Sequence, residues 1–305
     1  MARDAALIRE VQLVQLRSLK KLDEICRRHG IRYWAVYGTL LGAIRHGGFI
    51  PWDDDLDIGI LREDFEKLCA VPAEEWGDEC VLVTPDMDDE REDQLCPRIF
   101  AARSRIQSEW DVQWWRNWSD GRAWSTSLML DLFVFDYVPD DPAEHAALFH
   151  RLYNRRIWEP YKYVKQKAAV QRDSLPARLR SGTKIAYGWI MRRLYRRPWA
   201  RMWRRYTDRS TACAERNRVG TYSGEDPYSY TYEEMFPLRT AAFEDMEIPI
   251  PGCWEKMLTD MYGDYMQLPP EEQRTHIDFI YIDLGDGRRY ALDPIPGSLG
   301  AEEGP

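Results

Sequence analysis

The sequence predicts an α/β protein, a mixed sheet flanked by helices and interrupted by a basic helical insertion. Three observations carry this prediction. Short apolar runs rich in aromatic and β-branched residues alternate with segments of helical periodicity. A run of aspartates leads into one apolar run, and a single aspartate interrupts another. Residues 151–209 hold 18 Lys and Arg against three acids, a net of +15 within a chain whose overall net charge is -9.

The elements follow in order. Residues 5–29 place Ile8, Val11, Val14, Leu19, Leu22, Ile25 and Cys26 at helical spacing, with Gly30 as the stop. Tyr33–Tyr37 reads as a buried strand ended by Gly38-Thr39, and Leu40–Arg45 as a short helix. The turns His46-Gly47-Gly48 and Pro51-Trp52 precede Asp53, Asp54, Asp55 and Asp57, which run into a strand over Leu56–Ile60 and a helix over Arg62–Cys69. Arg62 and Asp64 are expected to cap that helix. Cys80–Thr84 and Arg98–Ala101 are further strand candidates. Leu128–Phe135 is the strongest strand, apolar on both faces as a buried strand must be, and 139–142 ends it before a helical region. Tyr262-Gly263 ends a later helix.

Composition narrows the class. With 305 residues and 44% hydrophobic side chains, the chain can build a large core and is not wholly disordered. No stretch reaches the roughly 18 to 20 uncharged apolar residues of a transmembrane helix, and Asp4 and Glu10 break the N-terminal apolar run as a signal peptide would not permit. Six dispersed cysteines without a CxxC pair read as reduced, mostly buried thiols of a cytoplasmic protein. Outside 151–209 the charge is -24, from 24 basic and 48 acidic side chains. That acidity, and the absence of a nucleic-acid motif in the basic segment, argue against a nucleic-acid partner.

The chemistry lies in the carboxylates. A buried Asp must be paired, hydrogen-bonded or bound to metal, and Asp131 sits inside an apolar strand. Asp55 and Asp57, two residues apart on another strand, can share a face. Carboxylates converging from two strands make a hard-oxygen site suited to Mg²⁺ or Mn²⁺, which serves phosphoryl transfer. The Gly38-Thr39 turn at a helix N-terminus offers backbone N–H groups to a phosphate. Together these match the layout of the nucleotidyltransferase fold. An EF-hand reading of Asp53, Asp55, Asp57 and Asp64 fails, because Ile58 stands where the loop needs glycine.

The stretch YWAVYGTLLGAIRHGGFIPWDDDLDIGILREDFEKL, residues 33–68, closely resembles the signature of the LicD family, bacterial phosphocholine transferases and their fukutin-type ribitol-phosphate relatives in animals. SLMLDLFVFDYVPDD resembles the family's Asp-containing strand, and FPLRTAAFEDMEIPIPGCWEKMLTDMYGDYMQLPPEEQRTH its C-terminal block. The resemblance implies transfer of a phosphoryl-linked group, such as phosphocholine, from a CDP-linked donor to a hydroxyl of a glycan or lipid-linked glycan acceptor. It implies that Asp55 and Asp57 hold Mg²⁺ (or Mn²⁺), with Asp131 as third carboxylate and candidate general base. Gly38 and Thr39 then sit at the donor phosphates. Arg45, His46, Arg274 and His276 are phosphate or substrate contacts, while Asp53 and Asp54 shape the loop or a second metal site. Transfer of a whole nucleotidyl group, and a non-catalytic member of the fold, are the alternatives.

Residues 1–140 and 216–295 are expected to form the catalytic core, 141–215 the basic Trp- and Arg-rich insertion, and 296–305 a flexible tail. Trp189, Trp199 and Trp203 among arginines suit an anionic membrane surface, the expectation being a protein peripheral at the inner face of the cell membrane. A solvated helical face, or one paired with the protein's own acidic body, is the alternative. Five tryptophans between 110 and 124 either stack on substrate, caging a quaternary ammonium, or belong to the core or an interface.

Overall fold

The N-terminal helix is the longest piece of the frame and connects two separate cores. The structure, a computed structural model, describes residues 2–84, 87, 96–108, 126–156, 183, 186, 216–222, 226–274 and 279–291. In α1 (Ala2–His29) the apolar stripe buries Leu7, Ile8, Val11 and Val14 against Ala101, Ile106, Leu128, Phe279, Ile282 and Leu284. Its second half sends Leu16, Leu19, Leu22, Ile25 and Cys26 into the main core. Arg27, Arg28 and His29 in the last turn complement the helix dipole, and Gly30 at φ 63° stops the helix.

The main sheet is built on β6 (Met129–Val138). Along one edge, β2 (Asp57–Leu61) runs parallel to it, with β1 (Tyr33–Ala35) antiparallel beyond. Along the other edge, the first residues of β6 pair with β4 (Arg98–Ala101) and then β3 (Cys80–Val83). Its last residues pair with β7 (Arg218–Thr221) and then β8 (Ser229–Thr231), so the long strand serves two partners on that side. Leu130, Leu132 and Val134 of β6 are buried, as are Ile58 and Ile60 of β2, which is why both strands read as near-continuous apolar runs. A second, antiparallel sheet joins β5 (Arg105–Ser108), β11 (Phe279–Asp283) and β12 (Arg289–Ala291). Strands β9 (Arg239–Phe243) and β10 (Met246–Ile250) form a hairpin.

The described helices include α2 (Tyr37–His46), α3 (Arg62–Cys69), α4 (Ala73–Trp76), α5 (Pro142–Arg156), α6 (Tyr232–Met235) and α7 (Trp254–Tyr262), with a 3-10 turn over Glu271–Gln273. The mixed sheet, its flanking helices, the strand at 98–101, the helix at 62–69 and the stop at Gly263 stand as the sequence predicts. Two expectations are corrected. The first strand ends at Ala35, and Tyr37, at φ 48°, already starts α2, so Gly38 and Thr39 lie within a helical first turn rather than a separate turn. Arg62 and Asp64 do not cap α3, whose N-cap is Leu61 with no side-chain cap. Instead Arg62 makes a buried, two-pronged ion pair with Asp136 of β6, at 2.8 and 2.7 Å, and Asp64 pairs with Arg32 and Lys67. Helix α5 begins where a helical region was expected after 139–142, while most of the basic segment lies outside the described residues.

Candidate active site

Parallel pairing of β2 with β6 brings the carboxylates together. Asp57 opens β2 in register with Asp131 of β6, and register partners on neighbouring strands present their side chains to the same face. Asp53, Asp54 and Asp55 lie in the loop just before. Its backbone is held from α1 by two glutamines, each 2% exposed. Gln12 Nε2 donates to the carbonyls of Ile50 (3.1 Å) and Asp53 (2.8 Å), and Gln15 Nε2 to those of Asp54 (2.7 Å) and Met129 (3.3 Å).

The first turn of α2 forms a wall of this cluster. Thr39 is buried and its Oγ1 accepts the Asp57 N–H at 2.7 Å, while the Gly38 backbone amide is bonded to the Asp57 carboxylate. A Cβ on Gly38 would stand 2.8 Å from Asp53 Oδ2, so the carboxylate packs where only glycine leaves room. The hydroxyl and amide of this turn therefore set the position of Asp57.

Crowding shows in the protonation chemistry. Burial, then the neighbouring charge of Asp54, pushes Asp53 up to about 6. Burial comes first again for Asp55 and Asp57, both held well above the ordinary carboxylate range. For Asp57 the charge of Asp131 follows, and for Asp55 that of Asp57. Asp131 meets a counter-charge, since Arg98 Nε reaches its Oδ1 at 2.7 Å. Repulsion among oxygen donors is what a divalent cation relieves, and an all-carboxylate set is hard enough for Mg²⁺ or Mn²⁺. The chemistry of these side chains is of the hard-oxygen kind, although among the described residues no three His, Cys, Asp or Glu side chains are gathered closely enough to hold a metal ion.

Beside the acids, residues from two distant parts of the chain converge. Arg45 Nη1 donates to the carbonyls of Tyr265 (2.9 Å) and Gln267 (3.4 Å), and Arg274 Nε to that of Pro269 (2.9 Å). Trp52, next to the Asp run, packs against Arg274 and His46. Its ring meets the Arg274 guanidinium at 5.2 Å and the edge of His46 at 6.0 Å. Burial, reinforced by Arg45, lowers the His46 pKa and favours a neutral imidazole. Burial of the hydroxyl end and then the charges of Asp57, Asp53 and Asp55 raise the Tyr262 hydroxyl, which lies toward the cluster although the residue as a whole is 43% exposed.

Asp55, Asp57 and Asp131 thus share one region with Gly38 and Thr39, and Arg45, His46 and Arg274 share an adjoining one. His276 and the five tryptophans of 110–124 lie outside the described residues. Sequence reasoning missed Arg98, Gln12, Gln15 and Tyr262. The glutamines left a signal, because they interrupt the apolar face of a helix where a polar side chain must find a partner. Arg98 left a similar one, as a charge opening the apolar run Ile99-Phe100-Ala101.

The LicD/FKTN/FKRP nucleotidyltransferase domain profile matches residues 30–165. The chain is 28% identical over 280 residues to the lipopolysaccharide cholinephosphotransferase LicD of Haemophilus influenzae, covering 90% of this chain and 98% of that protein. Over 35 residues it is 63% identical to the ribitol 5-phosphate transferase FKRP of Homo sapiens, a match that spans 12% of this chain and 7% of FKRP. An uncharacterized Rickettsia prowazekii protein, RP689, is 56% identical over 46 residues, 15% of this chain and 17% of that protein. Among the described residues no helix is long and apolar enough to cross a membrane.

Proposed function

We propose, since this chain belongs to the LicD family, that it transfers a phosphoryl-linked head group, phosphocholine or a polyol phosphate, from a CDP-activated donor to a hydroxyl of a cell-surface glycan or its lipid-linked precursor. The observation that carries this reading is the register of Asp57 with Asp131, which assembles acids from two strands beside the first turn of α2.

In this reading Asp55, Asp57 and Asp131 hold Mg²⁺ (or Mn²⁺), which when bound neutralises charge on the donor diphosphate. The α2 first turn, through Gly38 and Thr39, fixes Asp57 and lies where donor phosphates approach. Arg45 and Arg274 supply positive charge to the same region, and neutral His46 offers one ring nitrogen as donor and the other as acceptor. Arg98 orients Asp131. The acceptor oxygen forms its bond to the head-group phosphorus as the P–O bond to the nucleotide breaks. CMP leaves with the bonding pair, and the hydroxyl proton passes to Asp131 or another nearby base. The basic segment 151–209 would bring the enzyme to an anionic membrane surface that presents the acceptor.

Thermal-shift screening against CDP-choline, CDP-ribitol, CDP-glycerol and plain nucleotides, each with Mg²⁺, tests the donor class, since a ligand that binds the folded state raises the melting temperature. Product mass then identifies what moved. A head-group phosphate on the acceptor with CMP released supports the proposal. A nucleotidyl adduct, or undiminished donor turnover by Asp57→Ala, overturns it.

A further inference from the structure

We infer that Glu244, at the tip of the β9–β10 hairpin, and Arg9 of α1 form a positioning pair for the carboxylate loop. They act through the backbone of residues 47–49, and the inference rests on the proposed transferase reading only for its catalytic consequence. The hairpin is remote in sequence from the acids, yet the bonds of Glu244 go to the turn that delivers them. Its backbone N–H donates to the Gly47 carbonyl at 2.8 Å, and its Oε1 accepts the Phe49 N–H at 3.1 Å. Arg9 grips both carboxylate oxygens, Nη1 to Oε1 at 2.8 Å and Nη2 to Oε2 at 2.5 Å. Arg9 Nη1 also reaches Gln12 Oε1 at 3.3 Å, and Gln12 holds the carbonyls of Ile50 and Asp53. One connected network therefore runs from the hairpin tip through α1 to the backbone of Asp53.

The turn is built to receive this carboxylate. Gly47 caps α2 in the left-handed conformation at φ 67°. Gly48 lies against the Glu244 side chain so closely that any Cβ there would overlap Oε1. Gly42 is packed just as tightly against the Gly48 carbonyl.

Two features separate positioning from mere support. Glu244 occupies φ 58°, a backbone conformation that glycine adopts freely and glutamate does not, so the local chain would be better served by glycine. The Arg9 side chain is 45% exposed and the Glu244 side chain 17%, so water reaches one end of the pair, which adds little to global stability. A strained residue kept for contacts worth little to the fold is the pattern expected where a fixed geometry is needed.

The test compares the full-length protein with Glu244→Gly and Glu244→Gln by hydrogen exchange, melting temperature and steady-state kinetics. Glycine removes the carboxylate while relieving the backbone, so the melting temperature stays within about 2 °C of wild type. Exchange at residues 47–55 then rises at least about 10-fold with the rest of the protein unchanged, and kcat falls at least about 10-fold with little change in donor KM. Gln keeps an acceptor for Phe49 and recovers most of both. Unchanged exchange at 47–55 in Glu244→Gly overturns the clamp. Increased exchange with wild-type kcat overturns its catalytic consequence. A wild-type protein with no transferase turnover sinks the proposed function instead, and the exchange arm still decides whether the clamp exists.

Discussion

Breaking the ion pair between Arg62 of α3 and Asp136 of β6 should both unfold the sheet's centre and disable the site. The pair joins the helix that follows β2 to the strand that carries Asp131, so it helps fix the register of Asp57 with Asp131. Its two bonds measure 2.8 and 2.7 Å, with the side chains 7% and 2% exposed. Arg62→Met leaves the Asp136 carboxylate buried without this counter-charge, which costs about 3–5 kcal/mol. That is a large fraction of the 5–15 kcal/mol typical of a folded domain. With a urea slope near 3 kcal/mol/M, the unfolding midpoint falls by about 1–1.7 M. Asp136→Leu removes the two-pronged carboxylate partner of the buried Arg62 guanidinium and destabilises as well. The double variant Arg62→Met/Asp136→Leu exchanges both charges for apolar groups, so it should return to within about 1 kcal/mol of wild type and recover turnover with it. The assay is urea unfolding of all four proteins at pH 7, closed as a double-mutant cycle. If each single change costs under about 1 kcal/mol, or if the double costs the sum of the two, the pair does not hold the sheet as argued.

Further predictions follow from single positions. Asp57→Asn removes one of the mutually repelling carboxylates, so in metal-free buffer at pH 8 the variant melts higher than wild type while donor turnover is lost, which parallel melting and turnover assays detect. His145, 1% exposed and lowered by burial and then Arg218 from 6.5 to about 4, is kept neutral by the fold. Its folded value lies below its unfolded one, so the contribution is fully present above about pH 6.5 and is lost as pH falls toward 4, a change of about 3 kcal/mol. His145→Gln should flatten that part of the stability-versus-pH curve, and an unchanged slope would count against the burial argument. Gly59 of β2 lies under the indole of Trp34, and a methyl group there would collide with the ring. Gly59→Ala should therefore cost about 2–3 kcal/mol and lower the melting temperature by several degrees, measurable by differential scanning calorimetry.

What the sequence revealed and what it concealed divide along the range of the interactions. Residues 62–69 and 98–101 were legible because periodicity and apolar runs are local properties. The Asp run and the lone Asp131 were legible as chemistry, since a charge inside an apolar strand demands a partner. The partner itself was not. Arg98 lies 33 positions from Asp131, Glu244 lies 235 positions from Arg9, and only the folded sheet and hairpin bring them together. The error over Arg62 and Asp64 has the same origin. Acids and bases near the start of a helix resemble capping residues, and nothing local distinguishes a cap from a salt bridge to a strand 74 positions away.

Four buried polar side chains of this fold, Gln12, Gln15, Thr39 and Arg98, are turned toward the acids. Gln12 and Gln15 give up places on the apolar face of α1 to hold its carbonyls, Thr39 spends its hydroxyl on the Asp57 amide, and Arg98 faces Asp131. None of these contacts adds apolar burial, and each hydrogen bond contributes only about 1 kcal/mol net to folding. Their value lies in fixing where negative charge stands relative to the first turn of α2. A loop of repelling carboxylates tends to spread, and it remains in place only because its backbone is held from α1, α2 and the β9–β10 hairpin at once. That restraint holds mutually repelling acids together at a cost in stability, which is the arrangement the proposed cation and phosphate donor would require.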